Sequence, residues 1–220
     1  MVYNGRNSRM KRGSTAKKIE QNKCEIGGET DMRKLVLFMH VSLDGYASDS
    51  NGGLDWIPYD EELEKYAEEV VAEVGAPVYG RTTYRMMESY WPTELDNPNA
   101  SKHDMEHAKW LQDVKKIVIS STMDKVEWNN TMLIKDNIAE EIKVLKEQPG
   151  KNLVIFGSPG AAKTLLKLGL IDEFLLTICP VVLGGGKSVF DGDGEKIRLK
   201  LLSSRTLKSG IIAARYELEK

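Results

Sequence analysis

Residues 152–164 constrain the fold of this chain more than any other stretch: Asn-Leu-Val-Ile-Phe-Gly-Ser-Pro-Gly-Ala-Ala-Lys-Thr. An apolar strand runs into a tight turn at Gly157-Ser158-Pro159-Gly160, and residues 165–168 continue the apolar face of a helix. That order sets backbone N–H groups and the positive end of a helix dipole at the carboxyl end of a strand. A phosphate suits such a place, either on a nucleotide to be hydrolysed or on a cofactor to be held.

The same alternation recurs along the chain. Residues 34–40 read as an apolar strand and residues 44–58 as a long loop of turn residues. Residues 60–74 read as a helix, with Leu63, Tyr66, Ala67, Val70, Val71 and Val74 on one face and Gly75 as its end. Residues 76–79 are a short strand, Gly80 a turn, residues 82–89 a second helix, and residues 91–103 a polar excursion. Residues 115–120 and 131–134 read as strands and residues 138–147 as a helix. After the opening motif come a strand at 171–179, a glycine-rich loop at 180–187, and an antiparallel pair at 197–206 and 210–219. The fold class is α/β: a central, mostly parallel mixed sheet flanked by helices, with antiparallel C-terminal strands. Ligands of such sheets bind beyond the carboxyl ends of the strands.

Bulk properties narrow the partners. The 220 residues suit one domain at 32–220, preceded by a polar, basic stretch at 1–31 that reads as a disordered or tag-like extension. A net charge of −2 argues against broad electrostatic binding to nucleic acid. Cys24 lies in the polar stretch and Cys179 in an apolar run, which fits unpaired thiols and a cytoplasmic protein. No apolar run approaches the ~20 residues of a membrane span.

Several motifs carry candidate chemistry. Gly157, Lys163 and Thr164 occupy P-loop positions, but Ala162 stands where the second glycine belongs and Pro159 removes an N–H donor. His103-Asp-Met-Glu106-His107 matches H-x-x-E-H, an inverted zinc-protease pattern, on a stretch whose polar flanks equally suit a solvent-facing helix start. Gly80-Arg81-Thr82-Thr83 joins a strand to a helix; Arg81 offers a fork of donors for a phosphate monoester, and the threonines can cap the helix. Ser120-Ser121 follows a third strand. Asp60 and Asp44 sit at a helix start and a turn, where capping and turn chemistry also favour aspartate. Asp172-Glu173 opens a strand and reads as exposed.

Taken in order, these pieces resemble a known family. Ser42-Leu43-Asp44-Gly45-Tyr46, Gly80-Arg81-Thr82-Thr83-Tyr84 with Trp91, Val118-Ile119-Ser120-Ser121, Gly157-Ser158, Leu168-Gly-Leu-Ile-Asp172-Glu173 and Pro180-Val-Val-Leu-Gly184-Gly-Gly186 follow one another as in the dihydrofolate reductase-like superfamily. The chain most resembles the reductase domain of bacterial riboflavin biosynthesis and its stand-alone relatives, over residues 32–220. The resemblance implies an NADPH-dependent reductase of a small heterocyclic or carbonyl substrate, and a homodimer. It places the cofactor at Arg81, Thr82, Thr83, Ser120, Ser121, Gly157, Ser158, Pro159 and Gly160. It points to Asp60 and Asp44 as candidate catalytic carboxylates. His40, Ser42 and Trp56, around the loop at 44–58, are the candidate substrate contacts. The family usually has Gly-Gly where this chain has Gly157-Ser158. Two other readings remain: a non-catalytic NADP(H)-binding or sensor protein of the same fold, and a zinc hydrolase through His103, Glu106 and His107.

Overall fold

A computed structural model describes residues 32–190 and 196–219. The extension expected at 1–31, Cys24 included, lies outside the described residues. Strand β1 (Leu35–Ser42) shows why the central strands are continuous apolar runs. Leu35, Leu37, Met39 and Val41 pack on one face of the sheet, against Ile142 and Leu145 of α4 (Ile138–Glu147) and Ala162 and Leu165 of α5 (Pro159–Lys167). Val36 and Phe38 pack on the other, against Tyr66 and Val70 of α1 (Glu61–Ala72). A strand covered by helices on both sides has no face left for polar residues.

Six strands run parallel: β1, β3 (Val74–Gly80), β4 (Lys116–Ile119), β5 (Thr131–Ile134), β6 (Asn152–Phe156) and β7 (Glu173–Cys179). The antiparallel pair β9 (Leu199–Thr206) and β10 (Ile212–Leu218) adds to β7, so the eight-stranded order is β5-β4-β3-β6-β1-β7-β10-β9. The mixed α/β sheet expected from the sequence is present. Helices α2 (Arg81–Glu94) and α3 (Lys102–Asp113) cover the β3–β4 side through Tyr84 and Leu111. Lys116 is fully buried; its Nζ donates to the Leu111 and Val114 carbonyls at 2.5 and 3.1 Å, closing the C-terminal end of α3. No helix among the described residues is long and apolar enough to cross a membrane.

The structure differs from the sequence reading in four places. Helix α1 stops at Ala72, and Gly75 lies inside β3 rather than at a helix end. A Cβ on Gly75 would collide with the Lys151 carbonyl oxygen and stand 2.8 Å from Arg33 Nη2, so the position needs space, not a left-handed turn. Helix α2 runs on to Glu94 with Pro92 inside it, and α3 begins inside the expected polar excursion, where Ser101 caps it. A second, two-stranded sheet pairs β2 (Tyr46–Ser48) with β8 (Lys187–Ser188), inside or at the edge of stretches read as loops. Finally, Glu173 is buried, 2% exposed, because Lys34 Nζ at 2.6 Å and Arg215 Nε at 2.7 Å hold its carboxylate. Burial alone would raise its pKa, but the hydrogen bonds and charges of those two cations win and hold it below the usual range. Its neighbour Asp172 accepts from the Leu35 N–H at 2.7 Å and pairs with Lys146 at 2.6 Å.

The Gly75 clash yields a direct test. Gly75→Ala should lower unfolding free energy by about 1–3 kcal/mol, the usual cost of overpacking. Gly160→Ala, whose Cβ would meet open space, should leave it unchanged or slightly higher. Urea denaturation of both variants makes the comparison.

Candidate functional site

The candidate site forms where β3 and β6, adjacent in the sheet, both end in helices. Strand β3 passes directly from Gly80 into α2 at Arg81. Strand β6 passes through Gly157 and Ser158 into α5 at Pro159. Neither helix has a side-chain hydrogen bond capping its N-terminus. Two sets of first-turn N–H groups, and two positive dipole ends, therefore lie side by side at one edge of the sheet.

Gly157 and Ser158 make the turn with φ of 54° and 61°. A serine in that left-handed region costs roughly 1–2 kcal/mol. Its hydroxyl offsets the cost: Ser158 Oγ accepts the Gly80 N–H at 2.6 Å, tying the two turns together. The same contact requires glycine at 80, where a Cβ would come within 2.7 Å of that oxygen. Ser158 is 6% exposed, so it braces the turn from below.

Above this junction lies one cleft with two halves, sharing Thr82, Thr83, Ser158, Pro159 and Lys187. The polar half, about 520 Å³, is lined by Arg81, Ser120, Ser121, Thr122, Gly160 and Thr164 among others. There Arg81 Nη1 donates to Thr122 Oγ1 at 2.9 Å, so the guanidinium reaches across from α2 to the end of β4. Ser120 Oγ accepts the Met123 N–H at 3.2 Å and holds that turn. The apolar half, about 220 Å³, is walled by Phe38, Leu54, Ile57, Met86, Met87 and Phe156, with His40 among them. His40 Nδ1 is hydrogen-bonded to Thr177 Oγ1, and its ring meets Phe38 edge-on at 5.3 Å. Burial pushes its imidazole down to about 4, so His40 is neutral near pH 7.

The structure thus brings Arg81, Thr82, Thr83, Ser120, Ser121, Gly157, Ser158, Pro159, Gly160 and His40 to one cleft. The other candidates lie outside its lining. Asp60 caps α1, accepting the Leu63 N–H at 2.9 Å, a bond that lowers its pKa. Asp44 accepts the Ser42 hydroxyl at 2.6 Å and the Leu183 and Gly184 N–H groups at 3.1 and 2.8 Å, so this pair fastens one loop to another. Trp56 Nε1 donates to the Gly53 carbonyl at 3.1 Å, and the ring packs on the cluster of Leu63, Cys179, Leu207 and Ile211. Among the described residues no carboxylate lines either half. Lys187, Ser48, Thr122 and the two methionines are lining residues that the sequence did not single out. Two of them had a signal: Lys187 in its place at the end of the glycine-rich loop, and Ser48 in its place within the loop at 44–58.

Of the H-x-x-E-H pattern, the two histidines stack on each other and Glu106 stands apart. Glu106 is exposed and pairs with Lys102 at 3.7 Å. His107 lies between Trp91 and Trp110, tilted against both at 4.3 and 5.2 Å between ring centres and stacked on the His103 ring at 6.0 Å, and burial pushes it down to about 4. His103 Nδ1 faces α1 instead, 3.0 Å from Glu68 and 3.4 Å from Glu64.

The sequence model of the RibD C-terminal domain matches residues 33–213. The uncharacterized protein YyaP of Bacillus subtilis is 35% identical over 184 residues, covering 84% of this chain and 94% of YyaP. A Shewanella sp. PV-4 protein, whose name ties it to riboflavin biosynthesis, superposes with a TM-score of 0.67 at 24% identity, over 85% of this chain and 99% of that one. The diaminohydroxyphosphoribosylaminopyrimidine deaminase/5-amino-6-(5-phosphoribosylamino)uracil reductase of Thermotoga maritima superposes with a TM-score of 0.59 at 12% identity, over 86% of this chain and 57% of that one. These structural matches show the shared fold.

Two tests follow from the site's geometry. Ser158→Ala keeps the left-handed turn but leaves the Gly80 N–H unpaired, and should cost about 1–3 kcal/mol in urea denaturation. Ser158→Gly removes the strain along with the bond and should cost less. The histidines give a pH dependence. The folded-state values of His40 and His107, both about 4, lie below the unfolded ~6.5, so between these limits the unfolded chain binds more protons. Their contribution is fully present above that upper limit and is lost as pH falls toward the lower one. Denaturation curves across this window should show stability falling on acidification, with a shallower fall in His40→Gln.

Proposed function

Because the chain belongs to the RibD C-terminal domain family, we propose that it is an NADPH-dependent reductase of a small heterocyclic or carbonyl compound. The observation that carries the reading is the cleft itself: two uncapped helix N-termini with Arg81 at one end, and an apolar chamber at the other. The donor set fits a dinucleotide. The first-turn N–H groups of α2 and α5 suit a pyrophosphate. Gly157 and Gly160 have open space where a side chain would stand, so the backbone there can approach a ligand closely. Arg81, with Ser121 and Thr122 beside it, suits the 2′-phosphate. NADPH, when bound, supplies the hydride.

The chain's own residues then position and shield. Phe38, Met86, Met87 and Phe156 give the chamber an apolar lining, which would lower the local dielectric around a bound ring and strengthen polar contacts there. His40, neutral and fixed by Thr177, offers a hydrogen bond without adding a charge. A second reading, cofactor binding without turnover, is favoured by one feature: among the described residues the cleft lining has no carboxylate to act as an acid.

NADPH and NADH titrations followed by protein fluorescence test the reading. NADPH should bind, and Arg81→Ala should weaken it roughly 10-fold or more while changing NADH little, because only NADPH carries the extra phosphate. Failure of both cofactors to bind at millimolar concentration would sink the proposal. NADPH binding with no oxidation by any heterocyclic or carbonyl acceptor would favour the second reading.

A further inference from the structure

Among the described residues, one group of three metal-ligating side chains stands close enough together to share an ion, and it lies outside the cleft lining. Glu64 and Glu68 are one turn apart on α1, so both carboxylates project from one side of that helix. His103 is the second residue of α3, whose first turn is fixed by the Ser101 hydroxyl accepting the Asp104 N–H. Its Nδ1 lies 3.0 Å from Glu68 Oε1 and 3.4 Å from Glu64 Oε1. The three atoms all fall within 4.8 Å of one another.

A proton satisfies this cluster poorly. Glu62 and Glu69 of the same helix pair with Lys208 and Arg205, whereas among the described residues Glu64 and Glu68 meet no cation but His103. Like charges one turn apart repel. A single Nδ1–H can point at one of the two oxygens and leaves the other carboxylate without a donor. The negative charge is felt next door: burial pushes the Tyr59 hydroxyl up, and Glu64, Asp104 and Glu68 push it further the same way.

The imidazole is also held in place. His107, set between Trp91 and Trp110, backs the His103 ring with 24° between the two planes. The His103 side chain is 15% exposed, against 35% and 53% for Glu64 and Glu68, so the ring is packed while the carboxylates are free to draw in. A tetrahedral zinc with bonds of about 2.0–2.2 Å sets its ligand atoms roughly 3.3–3.6 Å apart. The two nitrogen–oxygen separations here are close to that. One imidazole with two carboxylates suits zinc, whereas calcium and magnesium take oxygen ligands.

We propose that Glu64, Glu68 and His103 bind one zinc ion that clamps α1 to α3, with the fourth position left to solvent. Tyr66 of α1 and Trp110 of α3 already pack on one apolar cluster, and the ion adds a bond between the same two helices. This ligand set takes only the first histidine of the H-x-x-E-H pattern; Glu106 and His107 have no part in it. The site is independent of the reductase reading.

The test uses the full chain, freed of metal by a chelator, with zinc chloride as probe. Calorimetry should show a zinc site, and zinc should raise the thermal midpoint, as any ligand of the folded state does. His103→Ala, Glu64→Gln and Glu68→Gln should each weaken binding roughly 10-fold or more, since even partners outside the metal's own shell cost that much. Glu106→Gln should bind as the parent does. Glu68 is half-exposed, so its variant decides the matter even if His103→Ala fails to fold. Cobalt in place of zinc should give the visible absorption of a tetrahedral site, and Glu68→Gln should lose it. The proposal falls if zinc does not bind, if the three variants bind it as tightly as the parent, or if calcium binds as well as zinc, which would mark an acidic surface alone.

Discussion

The hydrogen bond from the Gly80 N–H to Ser158 Oγ is the contact on which the site depends. Strands β3 and β6 are neighbours, but each ends in its own turn and its own helix. Without a link between the turns, the two helix N-termini would be set only by packing some distance below. The 2.6 Å bond fixes one turn against the other at the level where a ligand would sit. It explains a glycine and a left-handed serine together. Gly80 must lack a side chain because Ser158 Oγ occupies that space, and Ser158 tolerates its backbone because the oxygen has a donor. The departure from the usual Gly-Gly is therefore a brace that points down into the fold, leaving the N–H groups above it facing the cleft.

What the sequence revealed, and what it hid, divides by range. The polar half of the cleft was legible because strand, turn and helix are consecutive there: Gly80 to Thr83 and Gly157 to Gly160 announce themselves within a few residues. The sheet was legible for the same reason, since β1, β6 and β7 are apolar runs that need cover on both faces. Local chemistry is also ambiguous. An aspartate that caps a helix and one that binds substrate look alike in sequence, and Asp60 and Asp44 make backbone contacts outside the cleft lining. Glu173 was read as exposed because its two cations lie 139 and 42 residues away along the chain. Ser48 and Lys187 had no local signal as a pair, since only the β2–β8 ladder brings them together.

The two halves of the cleft differ in electrostatics as much as in lining. At the polar end, charge is supplied by helix termini and by Arg81, all fixed to the main sheet. At the apolar end, the one histidine is held neutral by burial, so among the described residues no fixed positive charge stands on that wall except Lys187 at the border. Under the proposed function this polarity would orient a dinucleotide, because its phosphates and its uncharged ring ends prefer opposite halves.

The supports of the two halves are also separate. The polar half stands on the eight-stranded sheet, where β3, β4 and β6 are held by neighbours on both sides. One wall of the apolar half is the two-stranded β2–β8 pair, which contributes Ala47, Ser48 and Lys187 to the chamber. The close approach there needs Gly186: with φ of 139°, any Cβ at that position would run into the Ser48 carbonyl oxygen. A substitution in this short pair can thus change the shape and polarity of the chamber without disturbing the bond between Gly80 and Ser158. The two halves of the cleft are for this reason mechanically separable in this chain. The apolar half depends on how two strands of three and two residues meet, the polar half on the junction of two parallel strands deep in the sheet.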